Sequence, residues 1–155
     1  MDWRELDSAT CSIARTMTVL GEPWAMLVLR DVLNGVSRFD DLVDHLGIAR
    51  NVLTRRLTTL VRAGILETRE YREPGRRTRH EYRPTAVGRD LRPVLLALMA
   101  FGDRHRAGPE GAPAVVVHDC GAEVHVREVC DDGHVLAPSD RVRITPGPGA
   151  RRRSA

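Results

Sequence analysis

Apolar residues recur at helical spacing from residue 12 to residue 63, and the pattern then shifts to short β-type segments. It predicts a first helix over residues 12–20, with Ile13, Met17 and Leu20 on one face. A second helix is expected from Pro23 to Asn34, because proline suits the first turn and Gly35 suits the position after the end. Apolar residues surround most of this second helix, which places it in the middle of the domain.

A helix-turn-helix is the next prediction from the pattern. One helix is expected from about Asp40 to Leu46, followed by a turn at Gly47 and a longer helix over 49–63 that ends before Gly64. The longer helix carries an apolar stripe on one side and polar residues on the other, the stripe being Leu53, Leu57, Leu60 and Val61. A helix, a glycine turn and a second helix with polar front residues are typical of a motif that sets a helix across the DNA major groove.

Two β segments, Ile65 to Tyr71 and His80 to Pro84, flank a loop built on Pro74 and Gly75. Thr85 can cap a further helix, which Pro93 should kink. The apolar stripe of that helix exceeds what a small domain needs internally, so we expect it to form a homodimer interface with the first helix. The expected interface residues are Ile13, Met17, Leu20, Leu91, Leu95, Leu98 and Phe101.

The predicted fold class is mainly α within α+β: a winged helix-turn-helix with flanking dimerisation helices and a small C-terminal β appendage. Residues 1–107 form the DNA-binding and dimerisation domain, 108–113 a Gly/Pro linker and 114–145 the appendage. Residues 146–155 are mostly Pro, Gly and Arg, and we expect this tail to be disordered.

Positive charge is concentrated in the helix-turn-helix and the hairpin. Residues 48–83 hold ten arginines and four acids, a net +6, whereas the whole 155-residue chain carries +3 and the remainder therefore −3. A local positive field attracts a polyanion and makes its affinity fall with salt.

The polar face of the longer helix carries chemistry that can recognise bases. Arginine can bond guanine O6 and N7 together, and asparagine can do the same for adenine N6 and N7. The candidate DNA contacts of this helix are Arg50, Asn51, Thr54, Arg55 and Thr58. In the wing, guanidinium groups beside a Pro-Gly turn suit phosphates or a narrow minor groove, and the candidates are Arg72, Arg76, Arg77 and Arg79. The alternatives are a solvated amphipathic helix and an ordinary charged loop.

Several ordered motifs of residues 11–105 resemble the HxlR-type winged helix-turn-helix transcriptional regulators. They include Leu20-Gly21-Glu22-Pro23-Trp24, Arg38-Phe39-Asp40-Asp41-Leu42, Val52-Leu53-Thr54-Arg55-Arg56-Leu57 and Tyr82-Arg83-Pro84-Thr85-Ala86-Val87-Gly88. The resemblance implies a bacterial, dimeric, DNA-binding repressor or activator, with the dimer formed by the first and last helices. Two positions depart from the family pattern: Ser12 replaces a frequent proline, and Ala49 replaces a serine that could cap the recognition helix.

Cys11 is a candidate redox sensor, because it lies where the first helix begins and Arg15 follows one turn later. Some relatives sense oxidants with an N-terminal cysteine, which the resemblance extends to this position. The alternative is a small, inert residue packed near the dimer seam.

The appendage contains two histidines and two cysteines, the composition of a zinc site: His118, Cys120, Cys130 and His134. Their spacing is not that of an established finger, so we expect no metal and no cofactor there. Packed cysteines or a Cys120 to Cys130 disulfide are the alternatives. Asp131 and Asp132 are interpreted as turn residues, with a role as hard metal ligands as the alternative.

These features predict a DNA-binding transcriptional regulator with duplex DNA, a second copy of itself and a small-molecule effector as partners. The alternative is a winged-helix protein- or RNA-interaction adaptor. No catalytic residues are expected, because no general base or oxyanion loop accompanies the tail cysteines. A cytoplasmic location is expected, since neither a signal peptide nor a run of ~20 apolar residues is present.

Overall fold

The computed structural model describes residues 3–72, 75 and 78–153. After two short 3-10 helices, Trp3–Glu5 and Ser8–Thr10, come α1 (Ser12–Leu20), α2 (Pro23–Leu33), α3 (Phe39–Leu46) and α4 (Arg50–Arg62). An antiparallel hairpin follows, β1 (Leu66–Tyr71) and β2 (Arg79–Pro84), and then α5 (Ala86–Asp90) and α6 (Arg92–His105). This order confirms the predicted winged helix-turn-helix, with element ends within about two residues of those expected. Across the described ranges, no helix is both long and apolar enough to cross a bilayer.

The described chain divides into two compact units. The first contains the residues up to Asp90 together with those from Thr145 onward, and the second runs from Leu91 to Ile144. The predicted boundary at residues 108–113 lies inside the second unit.

The core of the first unit lies around α2. Its buried apolar residues are Ala25, Val28, Leu29 and Val32, and α2 packs against α1, α3, α4 and β2. Leu53, Leu57 and Leu60 of α4 are at most 1% exposed. Fully burying one such side chain contributes about 1.5–3 kcal/mol, so this stripe determines which face of α4 points inward.

Asp31 is the one buried charged residue among those described, at 2% exposure. Its Oδ1 accepts a hydrogen bond from Arg30 Nε at 2.8 Å, and its Oδ2 lies 2.6 Å from Nδ1 of His45 on α3. A buried carboxylate without partners is strongly unfavourable, so these contacts make its burial tolerable. They also tie α2 to the end of α3.

Thr85 joins the hairpin to α5, and its predicted capping role is confirmed. Its hydroxyl donates to the Gly64 carbonyl at 2.6 Å and accepts from the Gly88 N–H at 3.1 Å. The single kinked helix expected beyond it is instead two helices, interrupted at Leu91. Pro93 lies in the first turn of α6, where its missing N–H removes no intrahelical bond.

The second unit consists of α6 and two short hairpin turns. Val117 pairs with Glu123 and Val129 with Val135 as isolated antiparallel bridges. The appendage predicted as β-structure is thus antiparallel but, over its described length, forms no continuous strand.

The C-terminal tail differs from the expectation of disorder at its described end. The Asp7 N–H donates to the Arg151 carbonyl and the Arg153 N–H to the Glu5 carbonyl, both at 2.8 Å. Proline and glycine composition gave no sign of this pairing, because the paired groups belong to non-proline residues, whose backbone N–H and C=O can bond whatever the side chain.

Gly88→Ala should destabilise the first unit by about 1–3 kcal/mol, a typical cost of overpacking. Gly88 is buried, and an added Cβ would lie 2.2 Å from the backbone oxygen of Ile65, which cannot rotate away. Urea unfolding measures the change. Gly108→Ala is the control, since its Cβ would meet nothing within 4 Å; equal stability of the two variants would contradict the close contact.

Candidate nucleic-acid interface

The turn between α3 and α4 is short and sharply defined. Gly47 ends α3 with φ 61° and ψ 27°, a left-handed conformation that glycine adopts without strain. Leu42 before the turn and Ile48 within it are buried, at 0% and 4% exposure. These two anchors fix where α4 begins.

The polar side of α4 faces solvent, as the pattern predicts. Asn51, Thr54, Arg55 and Thr58 are all exposed, and at about 100° per residue they fall within an arc of about 100°. The buried leucines occupy the other side of the helix. Four of the five predicted recognition-helix residues therefore lie on one accessible face.

The polar groups on this face already make local hydrogen bonds. Asn51 Oδ1 accepts from the Val52 N–H at 2.9 Å, so its amide oxygen is turned towards the helix backbone. Thr54 and Thr58 each donate to the carbonyl four residues earlier, Arg50 and Thr54, at 2.8 Å. Those threonine hydroxyl protons are used, which leaves the methyl groups and the oxygen lone pairs for a ligand. As the Ala49 substitution predicts, the N-cap of α4 makes no side-chain hydrogen bond.

Unlike the other four residues, Arg50 contacts side chains of α3. Its Nη1 lies 2.9 Å from Asp40 Oδ1, and its guanidinium carbon lies 4.8 Å from the centroid of the Phe39 ring. The other oxygen of Asp40 lies 3.6 Å from Nη1 of Arg79, the first residue of β2. The Asp40 carboxylate therefore pairs with one arginine of α4 and one of the wing. The spacing of these residues in the sequence did not reveal this shared contact.

The wing is attached to the segment before α3. The Tyr82 N–H donates to the Ser37 carbonyl at 2.8 Å, and Arg38 forms a β-bridge with Glu81. The Arg38 guanidinium stacks over the Tyr71 ring at 4.5 Å. Arg38 was not among the predicted contacts. The sequence shows a basic residue directly before α3, but not that it lies against Tyr71 of the wing.

The predicted wing arginines are described only in part. Arg72 is exposed at the start of the tip, and Arg79 is exposed at its end. Arg76 and Arg77 lie outside the described residues. On β2, burial raises the pKa of Tyr82 above its ordinary value, so this phenol remains neutral and adds no charge beside the arginines.

Cys11 is the N-cap residue of α1, and it is a half-buried free thiol. Arg15, expected to favour its thiolate, instead donates from Nε to the Ala9 carbonyl at 3.1 Å. Of the two features predicted to favour the thiolate, the N-terminus of α1 lies at the Cys11 thiol, whereas the Arg15 Nε bonds elsewhere.

The expected dimer residues divide into exposed and buried members. Ile13 and Met17 project from α1, and Leu98 and Phe101 from α6, all more than half exposed. Leu20 is 5% exposed and belongs to the core of the first unit, because it lies where α1 approaches α2. Leu91 and Leu95 are half-buried.

The histidines and cysteines of the appendage pair within their own turns. His118 Nδ1 lies 3.0 Å from Cys120 Sγ, and Cys130 Sγ lies 3.4 Å from His134 Nδ1. All three cysteines of the chain are free, so the alternative of a Cys120 to Cys130 disulfide is absent from the described residues.

Comparison with known proteins matches residues 19–109 to the HxlR-like helix-turn-helix family model. An uncharacterized HTH-type transcriptional regulator of Mycobacterium tuberculosis is 37% identical over 145 residues, covering 93% of this chain and 90% of its own length. Another, from Synechocystis, is 38% identical over 93 residues, 59% of this chain and 67% of its own.

The similar solved structures are also of transcription factors and regulators. The crystal structure of PA1607, a candidate transcription factor, has a TM-score of 0.78 and 33% identity, covering 90% of this chain and 96% of that one. The reduced form of the redox regulator HypR has a TM-score of 0.55 and 26% identity, covering 61% of this chain and 92% of HypR. The chain belongs to the HxlR-like helix-turn-helix family, and it is a DNA-binding transcriptional regulator.

Proposed function

We propose that the protein acts as a homodimer that inserts two copies of α4 into successive major grooves of a pseudo-palindromic operator. The observation that carries this proposal is the single exposed face of α4, with Asn51, Thr54, Arg55 and Thr58, opposite a buried leucine stripe. We place it in the cytoplasm, with the DNA that it regulates.

Base recognition centres on Arg55. It projects from the side of α4 opposite the buried leucines, one turn after Asn51, and no ion pair holds it among the described residues. A guanidinium in that position can form a bidentate contact with guanine. Asn51 can contact a neighbouring base if its Oδ1 releases the Val52 N–H. This requires only one exposed hydrogen bond to open.

Arg50 and Arg79 contact phosphates in this proposal. Both are roughly half exposed or more, and both share Asp40, which is itself 53% exposed. Exposed ion pairs contribute about 0–1 kcal/mol each, so a phosphate can replace Asp40 as their partner at little cost. The wing tip, with Arg72, adds a further backbone contact.

The dimer is formed by exposed apolar positions on α1 and α6. Val94, Leu98 and Phe101 recur at i, i+4 and i+7 on α6, and Ile13 and Met17 at i and i+4 on α1. Such stripes on helices of a small domain indicate a partner surface. Because a two-fold interface uses each stripe twice, the two α4 helices acquire the symmetry that a palindrome requires.

Control of DNA binding would act through the same interface. Cys11 lies at the beginning of α1, and HypR, a redox regulator by name, shares the fold. A thiol modification or a small molecule beside α1 would change the spacing of the two recognition helices without touching their polar faces.

Arg55→Ala should remove sequence preference while leaving general duplex binding. We expect operator affinity to fall about 5- to 150-fold, equivalent to about 1–3 kcal/mol for one bidentate contact, and random duplex affinity to change little. Arg127→Ala, which removes an exposed arginine of the second unit, is the control. Fluorescence anisotropy with the two duplexes measures both; an equal loss on operator and random DNA would assign Arg55 to phosphate instead.

Asp40→Asn should increase affinity for every duplex, because it frees Arg50 and Arg79 and removes a negative charge beside the phosphates. The expected gain is about 2- to 10-fold at low salt, the range set by two exposed ion pairs. Asp41→Asn makes the same charge change one residue away on α3 and should gain less. Equal gains would show that only net charge matters.

Ile13→Glu and Val94→Glu should each dissociate the dimer, since a charge would be buried twice in a two-fold interface. We expect the dimer dissociation constant to rise at least ~100-fold, as for like charges brought together in an interface. Ile144→Glu and Val142→Glu are matched controls, because Ile13 and Ile144 are 73% and 74% exposed, and Val94 and Val142 are 46% and 64% exposed. Light scattering at graded concentrations measures the change, and a wild-type monomer, or dimers in all four variants, would refute this interface.

A further inference from the structure

The turn from Cys130 to His134 brings three different metal-binding side chains together. One ligand atom each from Cys130, Asp132 and His134 lies within 4.8 Å of the other two. Cys130 is half-buried, and the other two are exposed to solvent and to any ion. The sequence spacing of the four His and Cys residues of the appendage does not indicate a zinc site, and Asp132 is a turn residue or a hard ligand by sequence alone.

The turn that holds these residues is closed by backbone hydrogen bonds. The Cys130 N–H donates to the His134 carbonyl at 3.1 Å, and the Gly133 N–H to the Cys130 carbonyl at 2.9 Å. Gly133 has a φ of 82°, which lets the chain reverse without strain. The Val129–Val135 bridge continues the pairing on both sides, so the backbone of the turn is arranged without an ion.

The distance between thiol and imidazole fits a shared zinc ion. Zn–S bonds are about 2.3 Å and Zn–N bonds about 2.0–2.1 Å, so a tetrahedral angle separates the sulfur and nitrogen by about 3.5 Å. Cys130 Sγ and His134 Nδ1 are 3.4 Å apart. Little movement would be needed to place an ion between them.

The donor set favours zinc over the common metals that prefer oxygen ligands. A thiolate and an imidazole are poor ligands for Mg²⁺ and Ca²⁺, which prefer oxygen, whereas Zn²⁺ accepts sulfur, nitrogen and carboxylate oxygen together. Asp132 supplies that oxygen from inside the turn.

His118 and Cys120, in the neighbouring hairpin, form a different arrangement. Nδ1 of His118 accepts a hydrogen bond from the Cys120 N–H at 3.2 Å and lies 3.0 Å from the Cys120 thiol. The nitrogen nearest that thiol is thus already bonded to the backbone. Among the described residues, this pair does not join the cluster at Cys130.

We propose that Cys130, Asp132 and His134 form a zinc site, with water in the fourth position. Binding forms a Zn–S bond and transfers the Cys130 thiol proton to solvent, while His134 binds as the neutral imidazole. The ion ties both ends of the turn to its middle. This contributes stability to a segment with exposed valines, Val129 and Val135 among them, and no helix or strand of its own.

The test uses the full chain, stripped of metal with a chelator and titrated with zinc against a chromophoric competitor. We expect one zinc per chain. Cys130→Ser should weaken zinc binding at least ~100-fold, since even the loss of an outer-sphere partner costs about 10–100-fold. Asp132→Ala and His134→Ala should each weaken it at least ~10-fold. Cys120→Ser and His118→Ala are the matched controls and should change it less than about 3-fold.

Cobalt titration gives a second readout that does not depend on the competitor. The Co²⁺ protein should show a thiolate charge-transfer band that Cys130→Ser removes and Cys120→Ser retains. Absence of stoichiometric zinc, or equal loss on changing Cys120 or His118, would overturn the three-residue site. Far-ultraviolet circular dichroism of each variant verifies that the rest of the chain is folded.

Discussion

The burial of three leucines on one side of α4 is the constraint from which the proposed DNA-binding face follows. Leu53, Leu57 and Leu60 are at most 1% exposed, and α4 packs against α2 at the centre of its unit. Because the N-cap makes no side-chain bond, packing rather than capping holds this helix. With the leucines inward, helical geometry leaves Asn51, Thr54, Arg55 and Thr58 no position except the outer face.

Two carboxylates beside this helix have opposite roles because their exposure differs. Asp31 is buried, and its bonds to Arg30 and His45 cannot be exchanged for water, so it fixes α3 against α2. Asp40 is exposed at the start of α3, where its ion pairs with Arg50 and Arg79 are weak enough for phosphate to replace. The first ties α2 to α3, whereas the second pairs with two arginines that we propose contact phosphates in the complex.

The sequence was sufficient to predict the elements whose formation depends on local periodicity. The helical stripe of α4, the turn at Gly47 and the cap at Thr85 are properties of neighbouring residues, and all three are confirmed. The exposed polar residues of α4 could be predicted for the same reason. The shared carboxylate of Asp40 and the Arg38 stack on Tyr71 could not, because each joins elements far apart in the chain. The burial of Leu20 could not either, because it depends on how α1 packs against α2 and not on the stripe of α1 alone. The grouping of Cys130, Asp132 and His134 likewise depends on the turn at Gly133, which the spacing of these residues does not show.

Selection of duplexes from a random pool by the purified protein tests the central claim most directly. If two α4 helices bind as a symmetric pair, sequencing of the bound fraction will show an inverted repeat with half-site centres about 10–10.5 base pairs apart, or a multiple of that spacing. Strong binding with no enriched sequence, or enrichment of a single half-site without two-fold symmetry, would contradict the account.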